Sequence, residues 1–208
     1  MWAGAAVRID TAAIFHSNLS SEFIQKGHTK AMDIKNKIRE IKDFPKPGIG
    51  FKDITPVVQD AGCFQDVIKS LAAWAKKRKP QIIVGIESRG FLFAAPVAHR
   101  LKLGLAVIRK KGKLPGKTVC VKAPNEYAVE YFEMHEDGIQ PGQRVLIIDD
   151  LIATGSSSIS AIDLVKSLKG TVVGFASLVE LAFLKGVANI KKAHPEVEVF
   201  SLTRFEEE

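Results

Sequence analysis

The stretch VLIIDDLIATGSSS, Val145 to Ser158, decides how this chain is read. Its first four residues are branched or bulky and apolar, as in a strand buried on both faces. Two adjacent acids, Asp149 and Asp150, stand at the strand's end, and the small residues Ala153, Thr154, Gly155, Ser156 and Ser157 follow. Ile159, Ile162, Val165 and Leu168 then recur at helical spacing, closed by Gly170. A turn from strand into helix presents backbone N–H groups and the positive end of the helix dipole to an anion. Small side chains let a phosphate approach the backbone, Gly155 can take angles closed to other residues, and the hydroxyls of Thr154, Ser156 and Ser157 add donors. Two carboxylates would repel that phosphate, so they must serve another group, and sugar hydroxyls suit them. An acid pair followed by a phosphate cradle measures out a ribose phosphate.

Upstream of this segment the chain alternates. Phe64, Val67, Ile68, Leu71 and Ala75 predict a helix, and Ile82 to Ile86, after Pro80, a buried strand. Phe91 to Leu101 predicts a second helix and Leu105 to Ile108 a second strand. Beyond Gly170, Val172 to Val179 predicts a further strand. Strands alternating with helices make a mainly parallel α/β sheet with helices on both faces. Ligands of such sheets sit outside the carboxyl ends of the strands, so functional residues should follow strands directly.

The 208 residues, 46% of them hydrophobic and 25% charged, suit one domain with a small appendage. No apolar run approaches the roughly 20 residues of a membrane-spanning helix, so no membrane partner is expected. A net charge of +7 favours polyanions, whether nucleic acid or phosphorylated small molecules. The dense basic cluster is Arg109, Lys110, Lys111 and Lys113. No stacking aromatics are interleaved with it, and no nucleic-acid-binding motif is recognisable, so nucleic acid is not the expected partner. Cys63 and Cys120 have neither metal-ligand spacing nor a disulfide framework, which points to a reducing compartment, the cytoplasm. Residues 1–31 mix Gly, Ala, Ser and scattered charges without a sustained period and lack the apolar block of a secretory signal. They are expected to be a loosely held extension to a domain spanning 32–208.

The Val145–Ser158 segment resembles the PRPP-binding motif of type I phosphoribosyltransferases, and three further segments point to the adenine-specific branch. DFPKPGIGFKDITP, Asp43 to Pro56, is similar to that branch's amino-terminal signature; the resemblance implies that Phe51 stacks on the purine and that backbone groups at Gly50 read its edge. GIESRGFLF, Gly85 to Phe93, resembles the pyrophosphate-binding loop, with Ser88 and Arg89 as contacts and a cis bond at Glu87-Ser88. RKKGKLPGKT, Arg109 to Thr118, resembles the mobile lid loop; the resemblance implies that Arg109, Lys110, Lys111 and Lys113 neutralise pyrophosphate, some of them across a dimer interface. One departure is Ser156, where adenine-specific members usually have a second Gly.

The fold implied is the Rossmann-like one of the family, a twisted, mainly parallel sheet with a small hood and a lid. The activity implied is transfer of the 5-phosphoribosyl group of PRPP to adenine, giving AMP and pyrophosphate, with Mg²⁺ bound mainly through PRPP and water rather than by dedicated protein ligands, and a homodimer as the assembly. Transfer to another purine base, or non-catalytic PRPP binding by a regulator, is the alternative. Family members carry a Glu-Tyr pair in the lid, with Glu handling a proton on the purine. Two pairs are present, Glu126-Tyr127 and Glu130-Tyr131. Counting without gaps from Leu114-Pro115-Gly116 to Asp137 places Glu126 on the catalytic position and Tyr127 beside it; Glu130 would need an insertion and a matching deletion.

Overall fold

A computed structural model describes residues 34–44, 46–48, 50–123 and 130–207. The extension 1–31, Glu126 and Tyr127 therefore lie outside the described residues.

The chain runs α1 (Ile34–Lys37), β1 (Arg39–Ile41), β2 (Phe51–Asp53), α2 (Thr55–Gln59), α3 (Ala61–Lys77), β3 (Ile82–Ile86), α4 (Gly90–Leu101) and β4 (Gly104–Lys110). It continues through β5 (Thr118–Lys122), β6 (Tyr131–His135), β7 (Arg144–Ile152), α5 (Ser156–Ser167), β8 (Thr171–Leu181), a 3₁₀ turn over Ala182–Leu184, α6 (Gly186–Ala193) and β9 (Val199–Phe205). Seven strands form one sheet in the order β5-β6-β4-β3-β7-β8-β9. The five from β4 to β9 in that order are parallel, and β5 and β6 add an antiparallel edge.

Alternation along each central strand feeds two cores. Ile83, Leu146, Ile148, Ala176 and Leu178 pack on α3 and α4. Val84, Val145, Ile147 and Phe175 pack with Ile162 and Val165 of α5. Both faces of β3 and β7 are thus covered, which is why those strands read as unbroken apolar runs. Helix α3 begins three residues earlier than the apolar period indicated, because the Asp60 carboxylate caps it by accepting the Cys63 N–H at 2.9 Å.

The strand holding the two acids is longer than expected. It extends through Asp149 and Asp150 to Ile152, because the eleven-residue β8 templates it: Asp149 aligns with Ser177 and Leu151 with Val179. The polar stretch after Lys110 is likewise not one open connection. A turn over 111–117 joins β4 to β5, and β5 pairs with β6 from Thr118–His135 to Lys122–Tyr131.

Strands β1 and β2 form a separate antiparallel pair, the hood, in the register Arg39–Asp53 to Ile41–Phe51. Arg39 Nη2 lies 2.5 Å from Asp53 Oδ2, and Thr55 donates its N–H to Asp53 Oδ1 at 2.9 Å. The Thr55 side chain first, then Arg39, then that Thr55 N–H hold the Asp53 carboxyl down at about 2 by hydrogen bonding. The hood is thereby fixed to the start of α2.

Candidate active site

A cavity of about 340 Å³ opens at the carboxyl ends of β3 and β7. Ser88 and Arg89 line it on one side; Asp149, Asp150, Ala153, Thr154, Gly155, Ser156 and Ser157 line it on the other. Residues 60 positions apart in sequence, such as Arg89 and Asp149, are brought together because β3 and β7 are parallel neighbours, Gly85 beside Ile148, so that β3 ends alongside the acids while β7 runs on to Ile152.

The cradle is built on Gly155, whose φ of +84° immediately precedes α5. Ser156 is not among the positive-φ residues, so the angle that demands glycine falls one position before it. The turn is braced from behind by α6. A Cβ on Gly155 would come within 2.7 Å of the Gly186 carbonyl oxygen, and Asn189 Nδ2 donates to the Thr154 carbonyl at 3.0 Å. Gly155→Ala should therefore cost about 1–3 kcal/mol, through both the left-handed angle and the overlap, in chemical denaturation. Ser156→Gly should change stability by less than about 1 kcal/mol, since a helix's first position carries no special angle.

Both acids are 6% exposed, yet neither is packed away from the cavity they line. Asp149 Oδ1 accepts the Asp150 N–H at 2.9 Å. Gly90, opening α4, lies so close that a Cβ there would sit 2.7 Å from the same oxygen. Arg89 Nε is 2.9 Å from Asp150 Oδ2, close enough for an ion pair but not aligned as a hydrogen bond, so among the described residues that buried oxygen accepts none. A buried carboxylate oxygen with spare accepting capacity is what a ligand hydroxyl fits. Burial, reinforced by the charge of Asp150, pushes the Asp149 carboxyl well up. Burial also raises Asp150, against the pull of Arg89.

The guanidinium of Arg89 lies 5.1 Å from the centre of the Phe51 ring, and Phe44 meets that ring edge-on at 5.2 Å. Arg89 thus links the acid pair to the hood. Phe51 and Gly50 do not line the cavity itself; Phe51 sits half-buried in β2, and Gly50 immediately precedes it. The bond Glu87-Ser88 is cis.

The basic residues of the 109–118 segment stand outside the cavity lining. Arg109 is turned inward: Nη2 donates to Glu87 Oε1 at 2.9 Å and Nη1 to the Lys113 carbonyl at 2.9 Å. Lys110 Nζ pairs with Glu130 at 2.7 Å, while its N–H donates to Glu87 Oε2 at 2.9 Å. The Arg109 hydrogen bond is the largest influence holding the Glu87 carboxyl below its ordinary range. Lys113 is exposed. Glu87, which has no role among the expected site residues, is an acid inside the GIESRG segment one residue before Ser88, and that position is the signal in the sequence for a cation such as Arg109 opposite it.

No group of three or more His, Cys, Asp or Glu able to hold a metal stands among the described residues. Asp149 and Asp150 nevertheless offer the hard oxygens that Mg²⁺ takes.

A profile of the phosphoribosyl transferase domain matches residues 58–207. An adenine phosphoribosyltransferase of Caldicellulosiruptor saccharolyticus is 51% identical over 175 residues, covering 84% of this chain and 98% of that one. The crystal structure of adenine phosphoribosyltransferase from Thermoanaerobacter pseudethanolicus matches with a TM-score of 0.78 at 46% identity, over 83% of this chain and 98% of that chain. The Saccharomyces cerevisiae structure, solved with D-2,5-dideoxy-2,5-imino-altritol 1,6-bisphosphate and adenine, matches with a TM-score of 0.76 at 35% identity, over 83% and 98%.

Proposed function

This chain belongs to the phosphoribosyl transferase domain family, among the adenine phosphoribosyltransferases, and on that premise we propose that it transfers the phosphoribosyl group of PRPP to adenine, forming AMP and pyrophosphate in purine salvage. The observation that carries the reading is the cavity in which Asp149 and Asp150 stand directly beside the Ala153–Ser157 turn.

The turn and the start of α5 hold the 5-phosphate, with the helix dipole and the hydroxyls of Thr154, Ser156 and Ser157 as donors. Asp149 and Asp150 accept from the ribose hydroxyls, the unsatisfied Asp150 Oδ2 being the first candidate. That anchorage directs the anomeric carbon toward the Ser88–Arg89 segment. There the leaving pyrophosphate meets the Arg89 guanidinium and backbone donors placed where its charge grows. Lys110, at the end of β4, and Lys113, in the turn that follows, add positive charge. Arg109, as arranged, holds that turn in place and would reach pyrophosphate only by leaving Glu87.

Phe51 stacks on adenine and the backbone at Gly50 reads its edge. Adenine N9 forms the new bond to the anomeric carbon as the carbon–oxygen bond to pyrophosphate breaks, and Glu126 manages the purine proton, with Tyr127 beside it in the lid. Mg²⁺, held through PRPP oxygens and water with Asp149 and Asp150 close by, would supply charge neutralisation at pyrophosphate.

The transferase domain is taken as residues 32–208 and the extension as 1–31; the family match to residues 58–207 falls wholly inside that domain. A homodimer and a cytoplasmic location are inferred on the family resemblance and on two free cysteines, Cys63 and Cys120. No helix among the described residues is long and apolar enough to cross a membrane.

The test is incubation with PRPP, Mg²⁺ and each of adenine, hypoxanthine, guanine and xanthine in turn, following nucleotide and pyrophosphate. Adenine alone should give product. Preference for an oxopurine would overturn the base assignment, and no turnover with any base would favour a PRPP-binding regulator.

A further inference from the structure

The turn between β4 and β5 carries Lys111, Lys113 and Lys117 in exposed positions. Seven residues with two glycines at positive φ, Gly112 and Gly116, do not fix their own path. What fixes it lies beneath. Glu133, in the middle of β6, is 4% exposed and flanked in sequence by buried Phe132 and Met134. Its Oε1 accepts the backbone N–H groups of both Lys113 and Leu114 at 2.9 Å, and its Oε2 accepts the Thr118 hydroxyl at 3.3 Å. Burial works to neutralise this acid, but the N–H groups of Leu114, Lys113 and Gly112 more than offset it and hold the carboxyl below its ordinary range. A charge kept in so dry a place needs those donors as much as the turn needs the acceptor.

The same turn is held from its other polar group. Arg109, aligned with Glu133 across β4 and β6, donates to the Lys113 carbonyl and with its second arm to Glu87. Lys113 is thus gripped at its N–H by Glu133 and at its C=O by Arg109. Through Arg109 the grip continues to Glu87, the residue before Ser88 and Arg89 in the cavity wall.

We propose that Glu133 is a positioning residue for the reaction: its carboxylate sets the basic turn in register with the Glu87–Arg89 segment, and so governs affinity for the pyrophosphate end of PRPP without touching base or ribose. This rests on the assignment of the site given above. Nothing catalytic is asked of Glu133 itself, and its effect should appear in one substrate's affinity and not the other's.

The experiment compares the full-length wild-type chain with E133A, E133Q and T118V. Steady-state kinetics in each substrate, product inhibition by pyrophosphate, and trypsin cleavage of the free protein at Lys111, Lys113 and Lys117 are the readouts. E133A should raise the KM for PRPP and the inhibition constant for pyrophosphate about tenfold, leave the KM for adenine within about twofold, and speed cleavage at the turn. E133Q, which keeps an acceptor, should recover most of the loss, and T118V should shift the PRPP KM in the same direction by a smaller factor. Equal shifts in both KM values, or cleavage at the turn as slow as in the wild type, would overturn the proposal. Should E133A fail to fold, a PRPP KM and a turn-cleavage rate both unchanged in T118V overturn it equally. Cleavage of the free protein requires no turnover, so an inactive wild type would count against the assigned activity and leave the role of Glu133 to be read from the proteolysis.

Discussion

Replacing both Asp149 and Asp150 by Asn is expected to raise the KM for PRPP at least about 100-fold while leaving the melting temperature unchanged or higher. A hydrogen bond to a charged group is worth about 1.5–3 kcal/mol, and two ribose hydroxyls meeting two carboxylates put about 3 kcal/mol or more at stake, a factor of about 150. The stability half of the expectation has the opposite sign because the pair is costly to the empty protein. Both side chains are buried, and both carboxyls are raised, by burial first, with Asp150's charge adding to the effect on Asp149. An acid whose folded-state pKa lies above its unfolded value contributes stability that is present at low pH and lost as pH rises through the folded value. Near neutrality the pair is therefore on its unfavourable side, and Asn carries no such penalty. Arg89 loses an anion in the exchange, which tempers the gain. Initial-rate kinetics beside calorimetry at two pH values would check both halves, and the double variant should also flatten the stabilisation on acidification that the pair gives the parent. A large fall in melting temperature with an unchanged PRPP KM would mean that the acids hold the strand end together and bind no sugar.

That experiment concerns the part of the molecule most legible from residues alone. The buried parallel strands β3 and β7 announce themselves because both faces are covered, so their sequences are apolar without interruption. The cradle was legible for a related reason: acids, small residues and hydroxyls crowd into one short local segment, and local chemistry needs no knowledge of partners. Strands β5, β6 and β9 and the β1–β2 pair were not read. β5, β9 and the hood pair are edge elements of mixed polarity, and β6, although paired on both sides, carries Glu133 between its buried apolar residues; all are held by pairing to residues far away, such as Val199 against Phe175. The length of β7 beyond Ile148 was hidden for the same reason, since it is set by β8. Glu133 escaped notice because its meaning depends on that unread pairing; once Tyr131–His135 is known to be a strand, an acid between Phe132 and Met134 invites the question of what it faces. Gly186 and Asn189 brace the cradle from about 30 residues downstream, and no local pattern in α6 points to the turn they support.

Glu126→Gln should lower kcat by about 10²–10⁴, the range for removing a general acid or base, with a much smaller effect on either KM. Glu130→Ala should change kcat by less than about fivefold. The contrast follows from what each residue has to do. Glu130 faces Lys110 at 2.7 Å with 37% of its side chain exposed, and an exposed pair of this kind contributes about 0–1 kcal/mol. Its backbone carbonyl, which accepts the Ala123 N–H at 2.8 Å, is untouched by the substitution. Glu126 lies outside the described residues, so its assignment rests on the ungapped count between Leu114-Pro115-Gly116 and Asp137. Gln preserves its shape and removes only its titration, so pre-steady-state measurements should show loss of the chemical step, and the limb of the pH–rate profile belonging to this carboxyl should disappear. If Glu130→Ala proved the more damaging, the proton-handling role would pass to Glu130. Its ion pair with Lys110, at the end of β4, would then have to open during turnover, coupling the acid to the basic segment proposed to bind pyrophosphate.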